Sequence, residues 1–155
     1  MLDDEPIEPM VANGTYLVAD LHDGNYILEH GPDKGYIQEV LCKTEMINDA
    51  QREGFAKALE AGVRIAFGTD ASVFPHGLNG RQFNHYVKNG MRPERAIQSA
   101  TRWSAELMGW EDRVGSISSG TFADIVGIDG NPVDDITTLE NVDAVMKGSV
   151  WLVTP

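Results

Sequence analysis

Residues 63–80, VRIAFGTDASVFPHGLNG, constrain this chain more than any other stretch. A short apolar run of Val63, Ile65, Ala66 and Phe67 follows a long helical pattern and stops at Gly68-Thr69-Asp70. It reads as a buried strand that ends in a carboxylate. The loop beyond it has the composition of a site. Gly68, Gly77 and Gly80 let the backbone turn tightly or approach a ligand, Pro75 stiffens it, and His76 offers a ligand, base or hydrogen-bonding nitrogen. In α/β proteins the carboxyl ends of strands carry the chemistry, so Asp70 and His76 are the first candidates for function. An Asp after a strand serves equally well as a helix cap or turn former, and its position alone does not separate these roles.

The rest of the chain supplies helices and one further buried strand. Residues 15–21, TYLVADL, are β-branched and aromatic at their start and lie between Gly14 and Gly24, so they read as a strand. His22 follows as either a substrate contact or an exposed loop histidine. Residues 25–40 mix Gly31-Pro32 and Gly35 with apolar residues, the pattern of a broken helix or lid-like excursion with His30 facing solvent. The clearest helix spans 44–61, with Thr44 as cap, Met46, Ile47, Ala50, Phe55, Ala58 and Leu59 along an apolar face, and Gly62 as terminator. Residues 81–89 give one or two turns with Phe83, Tyr86 and Val87 inward and His85 at the surface. Pro93 opens a helix that runs to Met108, with Arg92 as a weak cap.

The two ends of the chain are less regular. Asp3, Asp4 and Glu5 suit a first helical turn, but Pro9 crowds an interior carbonyl, so a short or distorted turn is expected there. From Val114 the periodicity changes to short strands, two of them around Gly120, and a hairpin turning at Lys147-Gly148. Ser99, Thr101 and Ser104 have no base at a readable spacing and suit helix packing better than nucleophilic chemistry.

Composition narrows the partners. With 24 acidic residues against 12 basic ones the net charge is -12, which argues against nucleic acid or an anionic membrane surface. A single cysteine, Cys42, excludes an intramolecular disulfide and reads as a packed or partly buried thiol. No apolar run reaches the length of a membrane span. The N-terminus, MLDDEPIEPM, is acidic and has no signal-peptide pattern, so a cytoplasmic location is the default, with a signal on a missing N-terminal part left open.

The stretch GVRIAFGTDASVFPHG, with ALEAG before it and GMRPERAIQSATRWSAELMG after it, resembles the last strand and helix of the amidohydrolase superfamily barrel. The nearest branch is that of the imidazolonepropionase-like enzymes and Xaa-Pro dipeptidases. Gly115, Ile117, Gly120, Ala123, Asp124, Ile125 and Val126 resemble the C-terminal strands that these proteins return to a small β-sandwich, so the resemblance runs from about Leu2 to about Leu152. It implies an α/β fold: the C-terminal part of a metal-dependent-hydrolase TIM-type barrel over residues 1–112, holding its last two strands and helices, and sandwich strands over 113–155. Asp124 is then a turn or strand-edge residue.

The chemistry implied by the resemblance is equally specific. Asp70 binds a divalent metal, zinc above all, and takes a proton from the metal-bound water that attacks an amide carbonyl. Only Asp70 is carried over from the resemblance; His22 and His76 stand beside it as weaker, substrate-binding candidates in the same mouth. A complete barrel, however, needs roughly 200–250 residues or more. This chain has 155 residues and no His-x-His pair, so it carries one of the expected ligands and is not expected to hold the metal alone. Two functions follow. One is part of a metal-dependent enzyme that hydrolyses carbon-nitrogen bonds in small peptides or N-acyl amino acids, inactive as an isolated chain and completed by a missing N-terminal barrel portion. The other is a non-catalytic remnant that folds by self-association as a homo-oligomer, covering its open strand edges.

Overall fold

In the computed structural model, which describes residues 4–154, strand β1 (Tyr16–Ala19) lies parallel to β2 (Arg64–Phe67). Tyr16 stands opposite Arg64 and Ala19 opposite Phe67. Parallel neighbours require a long crossover. Here α2 (Asp23–His30) and α3 (Gln38–Glu60) make it, and the expected break between them falls at Gly31 to Ile37, with Gly35 at φ 79°. Helix α3 starts earlier than Thr44, because no Gly or Pro interrupts residues 38–43. Thr44 is therefore not a cap; its hydroxyl donates back to the Val40 carbonyl at 2.9 Å. The apolar face of α3 buries Phe55 and Ala58, whereas Met46 and Ile47 near its N-terminal half are exposed. Cys42, on the same half, is also exposed instead of packed.

Helix α1 (Asp4–Asn13) is regular where a distorted turn was expected. Pro9 deletes one backbone bond, to the Glu5 carbonyl. Two interactions offset that loss: Ile7 is buried against Ala58 and Val63, and the Asn13 side chain donates to the Pro9 carbonyl at 2.9 Å. Asp3, one of the acids expected in the first turn, lies outside the described residues.

On the other flank, α5 (Pro93–Ala100) and α6 (Arg102–Leu107) both pack on β2, preceded by α4 (Arg81–Lys88). A single helix from Pro93 to Met108 was expected; the chain breaks at Thr101 (φ −118°, ψ −93°). The break has a local reason. It lets Ser104 accept the Phe67 N–H at 3.3 Å while donating to the Ser99 carbonyl at 2.6 Å, which gives β2 a partner on its open side. Gly115 fits against the kink, where a β-carbon would come within 2.8 Å of both the Thr101 carbonyl oxygen and Ala105 Cβ. Leu107 and Met108, expected in the packing surface, are exposed.

The C-terminal strands form a separate antiparallel sheet in the order β3 (Ile125–Gly127), β4 (Ala144–Lys147), β5 (Val150–Val153). Between Val114 and Gly120 no strand forms; the segment runs as turns, held by the Thr121 hydroxyl against the Ser116 and Ser118 carbonyls. The hairpin turns at Gly148-Ser149, both at positive φ (55° and 69°), one residue later than read from sequence. Asp124 sits at the strand edge as expected, receiving the Lys147 ammonium and the Gly148 N–H.

The main core gathers Leu21, Phe55, Ile65, Tyr86, Met91, Ala96 and Ile136 around the parallel pair. At the carboxyl ends of β1 and β2 the ladder stops, and four backbone groups would be left buried without partners. Gln82 of α4 supplies all of them. Its Oε1 accepts the Leu21 and His22 N–H groups at 3.0 and 2.8 Å, and its Nε2 donates to the Ala19 and Gly68 carbonyls at 2.6 Å each. Tyr86, one turn along, adds its hydroxyl to the Ala19 carbonyl. Gly68 is needed here because a β-carbon would come within 2.3 Å of Val18 Cγ1.

Replacing Gln82 by Leu strands the Leu21 and His22 N–H groups and the Gly68 carbonyl, while the Ala19 carbonyl keeps the Tyr86 hydroxyl; each stranded group costs about 1–3 kcal/mol when buried. The urea midpoint of Gln82→Leu is expected to fall by the equivalent of about 3 kcal/mol or more. A change under about 1 kcal/mol would show that this clamp does not hold the strand ends.

Candidate functional site

The clamp fixes where the next residues point. Asp20 follows β1 directly, His22 and Asp23 lead into α2, and Gly68-Thr69-Asp70 follows β2, so the strand ends bring three carboxylates to one edge of the fold. Asp70 is exposed and sits at φ 44°, a left-handed conformation that Asp tolerates better than most residues. Asp20 and Asp23 are partly buried. Burial raises the pKa of both above the usual carboxylate range, and the Asp70 charge adds to the shift in each case. One carboxylate oxygen of Asp23, Oδ1, is buried with no hydrogen-bond partner. This edge can attract a cation or accept a proton.

The loop after β2 folds back on itself. The Asn79 amide donates to Thr69 Oγ1 at 2.9 Å and its carbonyl accepts the Gly77 N–H at 3.2 Å. Phe74 is buried beneath the loop, edge-on to the His22 ring at 4.6 Å. His76, predicted to share the mouth with Asp70, is exposed and makes no hydrogen bond or ring contact with Asp70 or His22 among the described residues.

His22 is not an exposed loop histidine: only 4% of it reaches solvent. Gln82 holds its N–H, and its ring stacks on His85 with Nδ1 3.2 Å from His85 Nε2. His85, expected at the surface, is half-buried between this ring and Asn25, whose amide nitrogen lies 3.4 Å from His85 Nδ1. The physical cause of both misplacements is α2, whose first turn brings Asn25 over α4 and closes the histidines in. His30 is likewise half-buried, its ring 4.3 Å from that of Tyr26, rather than solvent-facing. Burial lowers the pKa of His22, with the Arg81 charge adding, and lowers that of His85 to about 4, with His22, Lys88 and Arg52 adding. Both imidazoles are neutral at pH 7.

Four residues that the sequence did not place in the site thus organise it. Asp20 had a signal, since it ends an apolar run just as Asp70 does. Gln82 and His85 are three apart on one helix, a spacing that puts them on one face. Asn25 had none.

The chain is a mixed α/β protein whose polar groups collect where two parallel strands end. It belongs to the amidohydrolase family, whose sequence profile matches residues 2–152. Among solved structures it is similar to a Xaa-Pro dipeptidase with bound methionine in the active site, at 41% identity and a TM-score of 0.90, covering 98% of this chain and 38% of that one. It is also similar to a prolidase complexed with N-methylphosphonate-L-proline, at 25% identity and a TM-score of 0.88, covering 99% and 38%. Ochratoxinase from Aspergillus niger is 30% identical over 120 residues, 76% of this chain and 24% of that protein. The chain therefore spans between about a quarter and two fifths of these relatives.

The histidine pair makes stability depend on pH. Unfolded, His85 titrates near the ordinary histidine value of 6.5; folded, burial lowers it to about 4. Between those values the unfolded state binds more protons, so stability rises with pH through this window and is lost as pH falls. The loss in urea midpoint from pH 7 to pH 4.5 is expected to be smaller in His85→Phe than in the natural chain. Equal losses in both would remove His85 as the cause.

Proposed function

We propose that this chain is the C-terminal part of a metal-dependent amidohydrolase barrel that hydrolyses carbon-nitrogen bonds in small peptides or N-acyl amino acids. On this reading β1 and β2 are the last two barrel strands, with residues 1–112 as the barrel part and 113–155 as strands of the accompanying sandwich. The observation that carries it is the exposed Asp70 at the carboxyl end of a strand in a parallel pair, within a chain that superposes almost whole on a Xaa-Pro dipeptidase. Asp70 is then the catalytic carboxylate and metal ligand that this chain contributes, and His22 and His76 line the substrate side.

The metal is a different matter. Among the described residues no three His, Cys, Asp or Glu side chains come together as a metal site. One exposed carboxylate does not retain a zinc ion against water, so no step through the metal is assigned to these residues. The other ligands have to come from an N-terminal barrel portion on the same or another polypeptide. Each strand of the parallel pair has one strand partner among the described residues, which leaves an edge on either side where such a portion would add strands.

A second reading rests on the same missing ligands together with exposed apolar side chains, among them Val150, Trp151, Leu152 and Val153 of β5. It is a non-catalytic chain that covers these surfaces by self-association.

One experiment separates the two. The chain is mixed with the N-terminal portion of the Xaa-Pro dipeptidase in the presence of zinc and assayed on a panel of dipeptides. Turnover that needs both pieces, and that falls at least 100-fold with Asp70→Asn, is the result expected for the enzyme. Stoichiometric zinc in the mixture is expected with it. No turnover and no association, with light scattering showing an oligomer of this chain alone, would favour the second reading.

A further inference from the structure

The polar groups behind His22 can be assigned hydrogen by hydrogen. Asn25 is fixed at both ends of its amide. Its Oδ1 faces the Arg52 guanidinium, which only donates, and its Nδ2 faces the Leu21 carbonyl, which only accepts. The amide cannot be turned over without placing donor against donor at Arg52 and acceptor against acceptor at Leu21. The remaining hydrogen on Nδ2 points to His85 Nδ1, 3.4 Å away, so that ring nitrogen is the acceptor. A neutral His85 must then carry its proton on Nε2, and this N–H can only be donated to His22 Nδ1 at 3.2 Å. His22 in turn carries its proton on Nε2, an atom that is buried without a partner.

We infer that Arg52, Asn25 and His85 are positioning residues that form a directed hydrogen-bond chain and lock His22 as the neutral Nε2–H tautomer, leaving that N–H as an uncommitted donor beside the carboxyl end of β1. The lowered pKa of both histidines agrees with a neutral pair. A free donor in a buried position is costly unless something accepts from it, so a bound oxygen acceptor such as a peptide carbonyl is the partner it suits. The chain also explains why a polar row runs through this part of the fold: each member turns the next, starting from a cation that has only one role to play. The use made of the N–H rests on the substrate-facing reading of His22, but the tautomer does not.

Long-range proton-nitrogen NMR of the imidazole rings, on the 15N-labelled chain at pH 8, reads the tautomers directly. In the natural chain both His22 and His85 are expected to be protonated at Nε2 and bare at Nδ1. Asn25→Asp replaces the donor by an acceptor, so His85 is expected to move its proton to Nδ1 and His22 to follow, reversing both rings. His85→Gln retains a donor toward His22 and is expected to leave His22 as Nε2–H, whereas His85→Leu removes it and is expected to give mixed tautomers. A natural chain with His22 protonated at Nδ1 would overturn the inference. So would an Asn25→Asp protein that leaves both rings unchanged, or, if that variant does not fold, identical His22 spectra in the Gln and Leu variants. Because no ligand is present, failure here is distinct from failure of the proposed hydrolytic function, which the complementation assay reads.

Discussion

The architecture depends on what happens where a two-stranded parallel ladder runs out. Backbone groups just past the last pair cannot reach each other, and buried amides without partners are costly. Gln82 resolves this from a neighbouring helix, with one amide serving two donors and two acceptors. Tyr86 reinforces it from the next turn, in a setting dry enough to push its own pKa to about 12, chiefly through burial. An amide suits the task because it presents both hydrogen-bonding senses in a rigid plane. A carboxylate would offer only acceptors and a hydroxyl too few groups.

With the strand ends fixed, the site inherits its geometry. Asp20 and Asp70 leave the sheet side by side, and the turn at His22 is anchored through its own N–H. The histidine ring can then be held from behind by His85 and from the side by Phe74. Electrostatics at this edge is divided. The carboxylates reinforce one another and favour protonation or a cation, while the histidines, flanked by Arg52, Arg81 and Lys88, stay neutral. Two kinds of group with opposite pKa shifts therefore stand within one turn of chain, a pattern common where acid-base work is done.

The chain belongs to the amidohydrolase family and spans between about a quarter and two fifths of the relatives it matches. A barrel closes its sheet and so removes its edges. Among the described residues β1 and β2 have one strand partner each, yet Phe55, Ile65 and Met91 pack closely around them. Part of the burden falls on side-chain substitutes for missing ladder bonds, with Ser104 receiving the Phe67 N–H as the clearest instance.

Local chemistry determined much of this protein in advance. The two apolar runs, the glycines that end them, the helical periodicity around Phe55 and Ala58, and the hairpin at Gly148 are short-range signals, and each element formed close to where its residues required. The position of Asp70 just past a strand was legible because a carboxylate closing an apolar run is visible in one dimension. Other features came from contacts between residues far apart in the chain. Pro9 could sit inside a regular helix because Ile7 found Ala58 and Val63, and the helix after Pro93 broke because Ser104 found Phe67. The burial of His22 and the roles of Gln82, His85 and Asn25 depend on α2 and α4 crossing the same strand ends, about sixty residues apart in sequence. A hydrogen-bond partner at that separation leaves no trace in periodicity or propensity. Only the folded chain decides which polar side chain stands at the end of which strand.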